Sequence, residues 1–168
     1  MKRFVLIVAA VMLVALMNLA VAEAAQRVYV VKEPARWTAQ RTDPEKFATE
    51  VLRLVNLERA RFGASPLKMA DDLTASALVR ARELPYKFSH TRPNGSKCFT
   101  AMPQTRGHIL GENLAGGQTT PQQVVQAWMD SPSHRENILN RQFKEIGVVY
   151  YYQSNSKFKH YWVQHFRG

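Results

Sequence analysis

Apolar positions recur at helical spacing three times along the chain, and then the period shortens. Phe47, Val51, Leu54, Val55 and Phe62 form the first stripe, which predicts a helix opened by Asp43-Pro44-Glu45 and ended by Gly63. An N-cap side chain, a proline in the first turn and an acid near the positive helix end all favour that start. Leu73, Ala77, Leu78, Ala81 and Leu84 form the second stripe, opened by Asp71 or Asp72 and closed before Pro85. Its alanines predict close packing. Val124, Val125, Trp128 and Met129 form the third, capped by Thr120-Pro121. Ser131-Pro132 stops it, because the residue before a proline avoids helical backbone, and Ser131 or Ser133 can cap a further helix. His134 then sits at a helix start. Between the second and third stripes, Cys98 to Thr105 has room for one helical turn, and Gly107 to Gly117 reads as a glycine-rich loop around Glu112. After Asn140, Phe143 to Gln153 and His160 to Phe166 are rich in β-branched and aromatic residues. Ser154-Asn155-Ser156-Lys157 separates them, which predicts a closing β-hairpin. Helices followed by strands indicate an α+β structure, with helices packed over a mostly antiparallel sheet.

The N-terminus changes the picture. Met1-Lys2-Arg3 is basic, Phe4 to Met17 is an unbroken apolar run, and Ala20-Val21-Ala22 and Ala22-Glu23-Ala24 fit a small-residue cleavage rule. Residues 1–24 are therefore expected to be a secretory signal peptide, with an uncleaved membrane anchor as the competing reading. Residues 25–43, with the strand-like Val28-Tyr29-Val30-Val31, are expected to be an extension, and 44–168 one domain. The expected location is outside the cytoplasm: secreted, periplasmic or on the cell envelope. Removing the leader takes away Lys2, Arg3 and Glu23 and leaves a net charge of +9 in place of +10. No nucleic-acid motif accompanies that charge. A basic exported domain suits anionic envelope components, among them acidic lipid head groups, so peripheral membrane contact is within scope; a merely solvated surface fits equally well. Cys98 is the single cysteine, so there is no intrachain disulfide, which is typical of a bacterial export route.

Candidate chemistry lies at His90, Glu112 and His134, all beside turns. Two imidazoles and a carboxylate can form a zinc shell with open water positions, or a metal-free site that handles protons. Taken singly, each histidine fits a structural hydrogen bond. Glu112 reads equally as a brace accepting backbone N–H bonds from its loop. Asn56 and Arg59, three apart on one helix face, are expected to tie that helix to a loop. His108 reads as a surface residue, and His165 is a ligand only if it faces the cleft. Cys98 reads as a structural thiol, since nothing in Lys97-Cys98-Phe99 supplies an activating base.

Several motifs then fall in register. They are Asn56-x-x-Arg59, Phe88-Ser89-His90, Gly111-Glu112-Asn113-Leu114-Ala115, Trp128-Met129-x-Ser131-Pro132-x-His134-Arg135-x-Asn137-Ile138-Leu139, Ile146-Gly147-Val148 and Tyr161-Trp162-Val163-Gln164-x-Phe166. In this order the chain resembles the CAP superfamily (cysteine-rich secretory proteins, antigen and pathogenesis-related proteins), in its bacterial SCP-like branch. The resemblance implies an α-β-α sandwich with a three-stranded antiparallel sheet between helical layers. It implies a cleft with His90 and His134 as candidate ligands for zinc or another divalent metal, and Glu112 as its first acid. Related eukaryotic members carry a second Glu three residues after the tryptophan, where this chain has Ser131; Asp130 and Glu136 are near. The resemblance fixes no single activity. It leaves a binding module for an envelope component, lipid or protein partner, and, as the alternative, a zinc-dependent hydrolase using His90 and His134 as ligands and Glu112 as base.

Overall fold

A computed structural model describes residues 43–103 and 106–168. The expected leader and the extension up to Thr42 lie outside the described residues. Helix α1 spans Pro44–Arg61; Asp43 Oδ1 accepts from the amides of Glu45 and Lys46, so the aspartate caps it as the sequence predicts. Gly63 follows in the left-handed region (φ 66°), where a side chain would be strained. Strand β1 is only Lys68–Met69, and helix α2 runs Asp71–Glu83. A single 3-10 turn covers Cys98–Ala101. Strand β2 is Leu110–Gly116, helix α3 Pro121–Asp130 and helix α4 Pro132–Leu139. Strands β3 (Glu145–Tyr152) and β4 (His160–Arg167) form the expected hairpin.

The sheet order is β1-β3-β4-β2, with β1 parallel to β3 and the other pairs antiparallel. Two expectations change here. The sheet has four strands, because the short β1 adds a parallel edge to the three antiparallel strands. The segment around Glu112 is a strand and not a loop; its Leu110–Gly116 register with β4 is continuous.

Alternation along the strands sends side chains into two cores. On one face Ile146, Val148, Trp162 and Phe166 meet Val51, Val55, Val124, Trp128 and Ile138 of α1, α3 and α4. On the other, Leu114, Val149, Tyr161 and Val163 meet Ala77, Ala81 and Leu84 of α2. This is the α-β-α sandwich. The small residues set how close α2 comes: a Cβ at Gly147 would lie 2.2 Å from the Leu73 carbonyl carbon.

Arg59 and Asn56 act as the braces the sequence suggests. Asn56 exchanges hydrogen bonds with the Leu67 backbone. Arg59 is fully buried and donates to the carbonyls of Ser65, Ile138, Asn140 and Phe143. Two of these carbonyls close α4, so the guanidinium is stabilised by the negative end of a helix and needs no carboxylate. Among the described residues no helix is long and apolar enough to cross a membrane.

Candidate functional site

Strand β2 is an edge strand, and one cluster is built around its Glu112. The side chain points to the α2 face, opposite His165 of β4. Its carboxylate is 1% exposed and has three internal partners. Arg80 of α2 donates from Nε to Oε2 at 2.8 Å. His165 Nε2 lies 3.1 Å from Oε2, and His90 Nδ1 lies 2.8 Å from Oε1. Burial alone would raise the carboxyl pKa, but the hydrogen bonds from His165, His90 and Arg80 outweigh it and hold the group well below the ordinary carboxylate range. An ionised carboxylate only accepts, so both facing ring nitrogens donate. With Nδ1 turned to Glu112, Nε2 is the ring nitrogen of His90 not engaged with that carboxylate.

Arg80 is completely buried. Beyond Glu112 it donates to Glu83 and to the Ser89 carbonyl, just before His90. Arg92 reaches the same Glu83 at 2.7 Å. The segment carrying His90 is thus anchored on one side by Arg80 at the Ser89 carbonyl and on the other by the Arg92–Glu83 pair. His165, fully buried, has its pKa lowered by burial against the opposing pull of Glu112. Its Nδ1 lies 2.8 Å from Ser76 Oγ.

A groove of about 370 Å³ opens beside this cluster, lined by residues that include His90, Lys97, Cys98, Gly111, Glu112 and Asn137. Asn137 of α4 closes the free edge of β2: it donates to the Glu112 carbonyl and to Asn113 Oδ1. Asn113 in turn donates to the His134 carbonyl, so it is a structural link.

His90 and Glu112 therefore meet directly. His134 stands one helical turn before Asn137, on the helix packed against the other face of the sheet, and is not in the groove lining. The two layers converge at the β2 edge, near enough that burial and then the charge of His90 lower the His134 pKa. Ser131, at the position where the resemblance led to the expectation of a second acid, places its Oγ 2.9 Å from His134 Nδ1. Each imidazole thus has Nδ1 held by a neighbour, which frees Nε2 for a ligand. Asp130 is bonded to Gln126.

The donors that come within 4.8 Å of one another are His90, Cys98 and Glu112. Cys98 is buried, and burial followed by the Glu112 charge pushes its thiol up to about 11. It stays protonated, which fits the structural reading and not a nucleophile. His108 is exposed and bonded to the Gly168 carbonyl.

Sequence reasoning missed Arg80 as a site residue and allowed His165 a role only if it faced the cleft; the structure sets it against Glu112. Both carried a signal. Arg80 is in phase with Leu73 and Leu84 on the buried stripe of α2, and His165 is in phase with Tyr161 and Val163 on β4. A charged residue in phase with a core stripe needs a buried partner of opposite charge.

Comparison with known proteins agrees with this architecture. The model of the cysteine-rich secretory protein family, CAP, matches residues 52–166. Protein YkwD of Bacillus subtilis is 38% identical over 126 residues, which cover 73% of this chain and 47% of YkwD. The membrane protein YlbC of the same organism is 26% identical over 121 residues, covering 67% of this chain and 33% of its own. The chain thus spans about half the length of the first relative and a third of the second. Among solved structures, an extracellular SCP-domain protein from Bacillus anthracis superposes with a TM-score of 0.63 at 22% identity, covering 73% of this chain and 40% of that one. An outer surface protein from Borrelia burgdorferi gives 0.65 at 22% identity, covering 73% of this chain and 92% of its own. Fold, motifs and match together place this chain in the CAP family.

Proposed function

We propose that the domain is an exported binding module whose groove at the β2 edge recognises an envelope component, lipid or protein partner. The observation that carries this reading is the state of Glu112. Its carboxylate is ionised and already accepts from Arg80, His165 and His90. A general base needs a pKa near the working pH and reach to a water or substrate proton. Glu112 is far too acidic and is fully engaged, so the group that a hydrolase would use is committed to holding the fold. The names of the extracellular and outer-surface relatives favour export.

A divalent ion such as zinc fits the site in part. His90 and His134 each keep Nε2 open, with Nδ1 oriented by Glu112 and Ser131. Two imidazoles would hold an ion whose remaining positions belong to water or a ligand; catalytic zinc sites usually have three protein donors. A bound ion would supply Lewis-acid character and order the groove wall. The residues themselves orient the rings and exclude water from Arg80.

Zinc titration of the full chain, alongside incubation with mixed peptides, tests the reading. At most one equivalent of zinc should bind, lost in the His90→Ala/His134→Ala double variant, with no peptide cleaved. Zinc-dependent cleavage that disappears in the double variant would overturn it in favour of the hydrolase.

A further inference from the structure

Two short segments far apart in sequence, Tyr86-Lys87-Phe88 and Lys157-Phe158-Lys159, come together on the α2 side of the sheet. Phe88 and Phe158 touch, with ring centroids 4.9 Å apart and tilted by 53°. Phe158 also meets Tyr161 edge-on at 6.1 Å. Gly116, at the end of β2, makes room for it: a Cβ there would lie 2.9 Å from the Phe158 ring. Tyr86, Phe88 and Phe158 lie in the segments that follow α2 and precede β4, and Phe88 and Phe158 pack on the buried Tyr161 of that strand, yet Tyr86 and Phe88 remain open to solvent. Tyr86 is 80% exposed and Phe88 44%. Lys87, Lys157 and Lys159 are all exposed around them. Lys157 Nζ sits 5.1 Å over the Phe158 ring, and Lys87 Nζ reaches the Arg92 carbonyl.

The charge around this patch is one-signed. No Asp or Glu occurs from Leu84 to Gly111, and none after Glu145. The bordering carboxylates are already paired: Glu83 with Arg80 and Arg92, Glu112 with Arg80, and the partly exposed Glu145 with Arg167, which it shares with Asp72. Lys159 adds a second feature. Among the described residues it is the single non-glycine with positive φ, at 62°. A lysine there bears backbone strain that glycine would relieve.

We propose that this aromatic and lysine patch docks the domain on the surface of an anionic phospholipid bilayer. Lysines near such a surface are drawn by its negative potential, each strengthening attachment about five-fold. Exposed Tyr and Phe rings suit the boundary where head groups meet acyl chains. A soluble polyanion would satisfy the lysines and leave Tyr86 and Phe88 wet, so the bilayer is the better fit. The proposal uses no residue of the groove, so it stands or falls apart from the groove's function.

A local readout avoids any contribution from the N-terminus. Lysine acetylation of the full chain is mapped by mass spectrometry with phosphatidylglycerol vesicles, with phosphatidylcholine vesicles and with soluble polyphosphate. Lys68, on β1 at the opposite edge of the sheet, is the internal control. Phosphatidylglycerol should slow labelling of Lys87, Lys157 and Lys159 at least three-fold relative to Lys68, and molar salt should abolish this. Lys159→Gly, which relieves strain, should raise the vesicle concentration for half-protection of Lys87 about five-fold; Tyr86→Ser should weaken it with the melting curve unchanged. Equal labelling of patch and control, equal protection by phosphatidylcholine, or equal protection by polyphosphate would each overturn the proposal.

Discussion

Arg80 and Glu112 are the pair on which the site is built, and both are nearly inaccessible to solvent. Removing one partner of such a pair leaves a buried charge unpaired, at a cost of about 3–5 kcal/mol. Arg80→Met should lose roughly that much stability in urea unfolding, and adding Glu112→Gln should recover part of it by removing the orphaned charge. A loss below about 1 kcal/mol would mean that the pair is not the keystone. At this scale the sequence was only partly legible. His90 and Glu112 stood out because the sequence around them reads as turns; Glu112 is in fact within strand β2, and the two side chains meet at 2.8 Å. Arg80 was hidden among surface cations, although its phase on α2 was visible. Ser131 looked like a missing acid; its hydroxyl instead orients His134. Ser131→Ala should therefore weaken zinc binding about ten-fold or more if both rings hold the ion, since ligand orientation of this kind is worth 10–100-fold. An unchanged affinity would take His134 out of the site.

At the scale of elements, helices were the legible part. Each apolar stripe became a helix within a few residues of its predicted ends, and Asp43 and Thr120 cap as expected. Strand β2 was not legible, because it lies between helices on both faces. Leu110, Glu112 and Leu114 alternate with Gly111, Asn113 and Ala115, so neither face reads as apolar. Its polar side chains are satisfied from other elements: Glu112 by Arg80 of α2, Asn113 by α4 and Gln164. Strand β1 has two residues and no period to read. The packing of α2 on the sheet rests on Gly147, where a Cβ would fall 2.2 Å from helix backbone. Backbone cannot step aside as a side chain can. Gly147→Ala should cost about 3 kcal/mol by displacing α2, with a melting temperature lowered to match. Because α2 carries Arg80, the same variant should also disturb the His90 ring, visible as a shifted imidazole resonance.

For the molecule as a whole, the buried groups set the response to acid. His165 is held neutral, with its pKa below the ordinary 6.5, so the unfolded chain binds more protons. Its contribution is complete above 6.5 and is lost as pH falls below that value. Glu112 is depressed from 4.5, so its contribution is present above 4.5 and is lost as pH falls through its lower native value. Stability should thus begin to decline near 6.5 and fall more steeply below 4.5. His165→Gln should remove the first phase in denaturant midpoints taken across pH. The measurement that bears most directly on a committed, non-catalytic Glu112 is its carboxyl carbon resonance in an acid titration. The resonance should stay at its ionised position from neutrality down to pH 4.5. A midpoint above 4.5 would give back the proton-accepting group that a hydrolase requires, and would contradict the binding account.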